Sequence, residues 1–474
     1  MTKQIVRDND YLSQTDAIMW LIESDPLLHS TIVGVALLDS VPDWSLLSER
    51  IEQVTHQVPG LRDKVVAPPL HPTMLRWVAD EHFELAYHLR RVALTAENGA
   101  EAGLNDVLAF ACQSAAKGFD RARPLWEFTL IEGLAKGQAA LVMKVHHVLT
   151  DGVGSVQLAA YLFDFEAPKP GSARVQMMPV RDGVAKRTSV RVGALGLFGD
   201  AVAHDLEAAA HLVRRNAPSA MPNLLHALAH PQQSAADSVD LARSVGRTVA
   251  LARSAMSPIM TQRDVHSRFE VIDVPLRRMR FATHSVGASL NDGFLAGITG
   301  GMRRYHSRHG AAVDELRVAM PISLRAADHQ PGGNHVTVMR FKVPVGITDP
   351  AERLGVLHDT GKRVRAERSL GYTEAVAGAL NLLPKQVIAA MLKRVDFLAS
   401  NVPGVPVQMY LGGVKVLRFY PFGPTAGSAV NITLMSYRGR CYIGANIDTA
   451  AIPDHRLFMR CLKAGFAEVL ALAS

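Results

Sequence analysis

The sequence predicts an α/β protein of two domains, each a mixed sheet carrying helices. Three observations lead there. The chain has 474 residues, too many for one ordinary core, so two or three domains are expected. Apolar residues make up 48% and charged residues 20%, the balance of a core-rich globular chain. Strand-like and helix-like patterns alternate through 1–167 and again through 266–474. Between them, 168–265 is Ala-rich helical sequence broken by Pro218, Pro222 and Pro231, and reads as a helical crossover linker.

In the first half, residues 31–38 are a branched apolar run and read as a strand. Asp43 suits the N-cap of a helix whose Leu47, Ile51, Val54 and Val58 share one face, and Pro59-Gly60 stops it. A strand is expected near Met74–Trp77 and a helix over Leu104–Lys117. Trp126–Glu132 and Ala139–His147 read as adjacent strands joined by the Gly133–Gly137 turn. In the second half, strands are expected at 269–274, 316–322, 335–343, 414–420, 429–436 and 441–447. Ser289 suits a helix N-cap that puts Asn291 and Asp292 in the first turn, and further helices fit 349–368, 373–395 and 455–472.

The chemistry concentrates at Lys144-Val-His-His-Val-Leu-Thr-Asp-Gly-Val-Gly-Ser155. An apolar strand ends here, Asp151-Gly152 and Gly154 are turn residues, and a helical pattern comes next with Ser155 as its expected N-cap. Strand ends open onto ligand crevices in α/β folds, and histidine exchanges protons near neutrality. Adjacent residues on an extended chain point to opposite faces, so His147 facing a cleft sends His146 inward. Asp151 is placed to orient an imidazole or to hold the turn through a buried ion pair. A two-histidine, one-carboxylate metal set is disfavoured, because neighbouring strand histidines diverge and no further ligand cluster stands out.

The net charge of +7 favours anionic partners such as phosphates, CoA or acidic lipid surfaces. No nucleic-acid-binding module is recognisable. Three cysteines, Cys112, Cys441 and Cys461, are too scattered for a disulfide framework, which suits a cytoplasmic setting. No apolar stretch is long enough to span a membrane, and the N-terminus lacks a signal core. Leu241, Val245, Val249, Ala252 and Met256 share a helical face beside Arg243, Arg247 and Arg253, which makes the linker a candidate for membrane contact.

The pattern His146-His147-x-x-x-Asp151-Gly152 resembles the signature of the CoA-dependent acyltransferase superfamily. Other stretches resemble motifs of the bacterial wax ester synthase/diacylglycerol acyltransferase family, in family order. They are Leu12-Ser-Gln-Thr-Asp16, Pro124-Leu125-Trp126, Asn291-Asp292 and Asn401-Val-Pro-Gly404. The resemblance spans nearly the whole chain, with one departure: Val405 precedes Pro406 where the family places proline directly after the glycine. It implies a chloramphenicol-acetyltransferase-like pair of similar domains about a pseudo-twofold, with an interdomain tunnel. It implies acyl transfer from acyl-CoA to diacylglycerol or a long-chain alcohol, with no cofactor and no metal. His147 is then the general base. His146, Asp151, Gly152, Asn291 and Asp292 support it, with Asp151 paired to an arginine such as Arg325 and Asn291 a candidate oxyanion donor. Pro124, Leu125 and Trp126 line the substrate channel, and Asn401 to Gly404 form a turn near the domain interface. Peripheral attachment to the inner face of a membrane or to lipid droplets goes with such substrates.

Overall fold

The computed structural model describes residues 11–67, 75–149, 154–167, 256–323, 336–366 and 385–473. Expectations that fall elsewhere lie outside the described residues. These are Asp151, Gly152, Arg325 and the linker's basic helical stretch up to Ala255.

Strands β1 (Thr31–Leu38), β2 (Asp63–Val66), β3 (Arg76–Ala79), β4 (Leu89–Ala93), β5 (Trp126–Glu132) and β6 (Ala139–His146) belong to the first half. The second half supplies β7 (Ser267–Pro275), β8 (Glu315–Ser323), β9 (Val336–Pro344), β10 (Phe397–Val402), β11 (Tyr410–Leu411), β12 (Val414–Phe422), β13 (Val430–Tyr437) and β14 (Arg440–Asp448). One six-stranded sheet runs β11-β12-β1-β6-β5-β4 and the other β7-β14-β13-β10-β8-β9, while β2 and β3 form a small hairpin. Both large sheets are mixed: β4–β5, β10–β13 and β10–β8 pair in parallel and the other neighbours antiparallel.

Strand β6 sits in mid-sheet with all eight residues buried, as expected for an apolar run covered on both faces. Each buried Val or Leu contributes about 2 kcal/mol, so the strand is a firm base for the histidine turn at its end. Asp43 caps the helix Trp44–Gln57 by accepting the Leu46 N–H. Ser289 caps the helix Leu290–Arg308.

Chain order and sheet order part company at β12. It belongs to the second half by sequence, yet it pairs antiparallel with β1, Val33 opposite Phe422. The boundary at 266 therefore does not separate the sheets. Phe422 stacks on Phe269 of β7 with ring centroids 4.1 Å apart, and Tyr420 donates to Asp273 at 2.9 Å, so β12 joins the two cores. Asp164 bridges to Tyr410 and pairs with the buried Arg50, fixing the β11–β12 hairpin to the first half.

In the second half the helix Leu290–Arg308 packs on the helix His455–Ala471 through glycines. A Cβ on Gly465 would meet the Gly297 carbonyl oxygen at 2.3 Å, and one on Gly301 would meet the Leu462 Cα at 2.7 Å. The backbones approach too closely for any side chain.

Two local expectations need correction. Ser155 is not the N-cap of the helix after the histidine turn, because that helix already includes Gly154. Asn401 and Val402 are not in a turn. They end β10, paired with Leu434 and Met435, because the parallel ladder with β13 outweighs the local Pro403-Gly404 signal.

Candidate active site

The strand ends at His146, and His147 opens a single 3₁₀ turn, His147–Leu149. His146 is buried and His147 is partly exposed, so the two rings have separate environments, as alternation predicts.

Hydrogen bonds and one close ionic contact surround this turn. The His147 N–H donates to the Ser30 carbonyl at 2.8 Å. The Ser30 N–H donates to the Glu23 carboxylate at 2.8 Å. Glu23 Oε1 also lies 3.0 Å from His146 Nε2. His146 Nδ1 accepts the Val148 N–H at 3.2 Å, inside the turn that His147 begins. With Nδ1 turned to the Val148 N–H, the other ring nitrogen, Nε2, faces Glu23. Arg121 reaches the other Glu23 oxygen at 3.2 Å. The His146 N–H donates to the Leu125 carbonyl at 3.0 Å. Both faces of the histidine pair are thereby pinned by main-chain groups.

The electrostatics reflect this geometry. Burial pushes the Glu23 carboxyl up, but the His146 hydrogen bond and charge, the Ser30 amide and Arg121 outweigh it and hold it at about 2. His147 is pushed down to about 4, first by burial and then by His146, against a hydrogen bond with its own main chain. At neutral pH Glu23 is a carboxylate and His147 a neutral imidazole, the form that accepts a proton. Trp20 and Phe119 close around the His146 ring at centroid distances of 5.9 and 5.8 Å. A cavity of about 180 Å³ on that side is lined by Trp20, Glu23, His29, Arg121, Leu125 and His146, among others.

Glu23 escaped the sequence reading. It is the C-cap of the helix Gln14–Ile22, where a carboxylate opposes the helix dipole. That misplacement was the available signal. The motif Leu12 to Asp16 acquires a role through the same helix: Ser13 caps it by accepting the Asp16 N–H, and the helix delivers Trp20 and Glu23 to His146.

The other expected site residues take varied positions. Leu125 lines the cavity beside His146. Pro124 is buried immediately before it. Trp126 is a core residue: it is fully buried, donates Nε1–H to the Leu61 carbonyl at 2.8 Å and stacks on His88 at 4.7 Å. That is core packing, not an open channel wall. Asp292 completes a capping box, taking the Ser289 N–H and hydroxyl at 2.8 and 2.7 Å, and lies 2.9 Å from His358 Nδ1. Asn291 sits beside β8, its Nδ2 3.8 Å from the Met320 sulfur. The structure brings these two to the second sheet and not into the Glu23–His146 network. Gly404 meets a plain steric demand, since a Cβ there would lie 1.5 Å from the Ser436 carbonyl oxygen. Among the described residues no cluster of three His, Cys, Asp or Glu side chains has metal-binding geometry.

Comparison with known proteins places this arrangement. Residues 12–294 match the wax ester synthase/diacylglycerol acyltransferase catalytic domain, and 332–469 match the C-terminal domain of the same family. A Mycobacterium tuberculosis chain provisionally named a diacylglycerol O-acyltransferase is 35% identical over 471 residues, covering 98% of this chain and 93% of its own. The solved wax ester synthase/diacylglycerol acyltransferase of Marinobacter aquaeolei VT8 superposes with a TM-score of 0.63 at 21% identity, covering 98% of this chain and 99% of that one. A starter condensation domain of rhizomide synthetase, solved with C8-CoA, shares the fold with a TM-score of 0.53 at 14% identity, covering 97% and 94%. The chain belongs to the wax ester synthase/diacylglycerol acyltransferase family, and is an acyltransferase of that family.

Proposed function

We propose that the chain transfers the acyl group of an acyl-CoA to the free hydroxyl of a diacylglycerol, with long-chain alcohols as further acceptors. The observation that carries this is the run of hydrogen bonds Glu23–Ser30–His147 and Val148–His146, closed by the 3.0 Å approach of His146 Nε2 to Glu23, which fixes a neutral histidine at a strand end. A neutral imidazole held by its main chain is what general-base catalysis needs.

In the reaction, His147 takes the acceptor hydroxyl proton as the oxygen attacks the thioester carbonyl. The tetrahedral oxyanion collapses, the C–S bond breaks, and the imidazolium returns its proton to the CoA thiolate. The acyl group passes directly, with no acyl-enzyme and no cofactor beyond the thioester itself. Asn291 is our candidate oxyanion donor. By the family pattern Asp151 and Gly152 support His147. Pro124 and Leu125 border the substrate channel. Among the described residues no helix is long and apolar enough to cross a membrane. We read the enzyme as meeting its acceptors at the inner face of a membrane or at lipid droplets.

The test is an acceptor panel with palmitoyl-CoA: dipalmitoylglycerol, hexadecanol and a hydroxylated glycolipid. Thiol release fastest with dipalmitoylglycerol is the expected result. Release with the glycolipid alone would reassign the acceptor. Tight palmitoyl-CoA binding with no turnover on any acceptor would replace catalysis by binding.

A further inference from the structure

The helix Leu276–His284 buries Met279, Ala282 and Thr283 and leaves its opposite side in water. At about 100° per residue, Arg277, Phe281 and His284 stand at the centre of that outer side, flanked by Arg278 and Arg280. Phe281 is 62% exposed, and Val286, just beyond the helix, is 38% exposed. An aromatic ring that exposed is unusual beside so many cations.

Arg278 reaches the Leu470 carbonyl at 3.4 Å, and the helix itself gives the other arginines no local reason to be there. The helix carries no acidic residue in its first turn, and basic groups near a helix N-terminus oppose the dipole. A second basic element adjoins. The Leu276 N–H donates to the Gly439 carbonyl at 3.0 Å, and Arg440 pairs across the sheet with Pro275. This sets the exposed β13–β14 tip, Arg438-Gly439-Arg440, against the start of the helix. Among the described residues none of Arg277, Arg278, Arg280, Arg438 and Arg440 has a carboxylate partner. Asp273 is held by Tyr420 and Arg418, and Glu468 by Arg303, Arg304 and Arg353.

We propose that this face is a docking surface for an anionic lipid bilayer, with Phe281 entering the headgroup region and the five arginines engaging lipid phosphates. A bilayer fits better than a soluble anion because the cations ring an exposed aromatic on one open side, with no enclosing pocket. The assignment rests on the lipid-acceptor reading above, and it adds the second half's own surface to the linker as a candidate for membrane contact.

Co-sedimentation of the full chain with vesicles tests it. Binding to an equal mixture of phosphatidylcholine and phosphatidylglycerol, weak binding to phosphatidylcholine alone, and release by salt are expected. The variant Arg277→Gln/Arg280→Gln/Phe281→Ser loses affinity by about fivefold for each arginine removed, with a further loss from the ring. The variant Arg438→Gln/Arg440→Gln, on an exposed turn, repeats the arginine effect should the helix variant fail to fold. Equal binding to neutral vesicles, unchanged binding by these variants, or competition by free CoA would overturn the proposal. Thiol release with substrates in detergent micelles separates the two readings. Its absence in wild type sinks the acyl-transfer reading, while vesicle binding still decides the docking face. Equal micellar rates for wild type and variant, with a slower variant on vesicles, support both.

Discussion

The two six-stranded mixed sheets are alike in size and are used differently. The first half ends its central strand in a buried ionisable network, where Glu23, His146 and the Ser30 main chain surround His147. The second half packs helix backbones together: Gly297, Gly301 and Gly465 let two helices touch, and Asp292 spends its carboxylate on a cap and His358. Polar burial is costly unless the groups are paired, and the buried charges of the second half are paired structurally, Arg353 with Glu468 and Asp396 with main-chain N–H groups. The difference teaches that, on the function proposed here, the first half carries the base and the second half a close-packed helical frame.

Substitutions sharpen this contrast. Gly465→Ala drives a Cβ into the Gly297 carbonyl and should cost about 3 kcal/mol of stability, read as a drop in Tm. The protein that remains folded should keep its kcat/KM.

Glu23→Gln should do the reverse. The Ser30 N–H and His146 Nε2 meet the same Glu23 oxygen, so Gln keeps a carbonyl there but loses the carboxylate charge and turns its amide N–H toward Arg121, which loosens the ring and the His147 turn with it. A fall in kcat of about 30-fold with little change in KM is expected, and Glu23→Asp should restore part of it. An unaltered kcat would reduce Glu23 to a structural ion-pair partner.

Asp292→Asn comes next. It weakens a cap and the His358 contact and should cost about 1 kcal/mol in a thermal melt, leaving turnover nearly intact. A hundredfold loss of kcat would instead place Asp292 with the catalytic groups.

The smallest effect is on pH. His147 is depressed from 6.5 to about 4, so it is already neutral well below physiological pH. The acid limb of kcat/KM should lie near pH 4, and activity should change little between pH 6 and 8 on its account. The same depression means the folded state resists protonating His147, so its stability contribution is full above about 6.5 and declines as pH falls toward 4. Glu23, held at about 2, contributes fully above its ordinary value of 4.5 and loses that contribution as pH falls through 2. An acid limb at the ordinary histidine value would show that His147 is more solvated in catalysis than its position implies.

Sequence reading reached what local signals encode. The Asp43 and Ser289 caps, the β5–β6 pair and the burial of β6 stem from side-chain chemistry within a few residues. The family motifs located the histidine pair. What escaped was non-local. No pattern in 414–422 says that this strand pairs with β1, which lies almost 400 residues earlier. Glu23 meets His146 across more than a hundred residues, and only its awkward place at a helix C-terminus hinted at a partner. Asn401-Val402 read as a turn because Pro403-Gly404 is a strong local breaker, while the pairing with β13 is invisible locally.

The central claim is that His147 is the base of an acyl transfer from CoA to a lipid hydroxyl. Thiol release from palmitoyl-CoA, with and without dipalmitoylglycerol, in wild type and His147→Ala, tests it most directly. The account predicts acceptor-dependent release in wild type and a loss of about 10³-fold in the variant, with its fold and melting temperature retained. Release that persists undiminished in His147→Ala would contradict it.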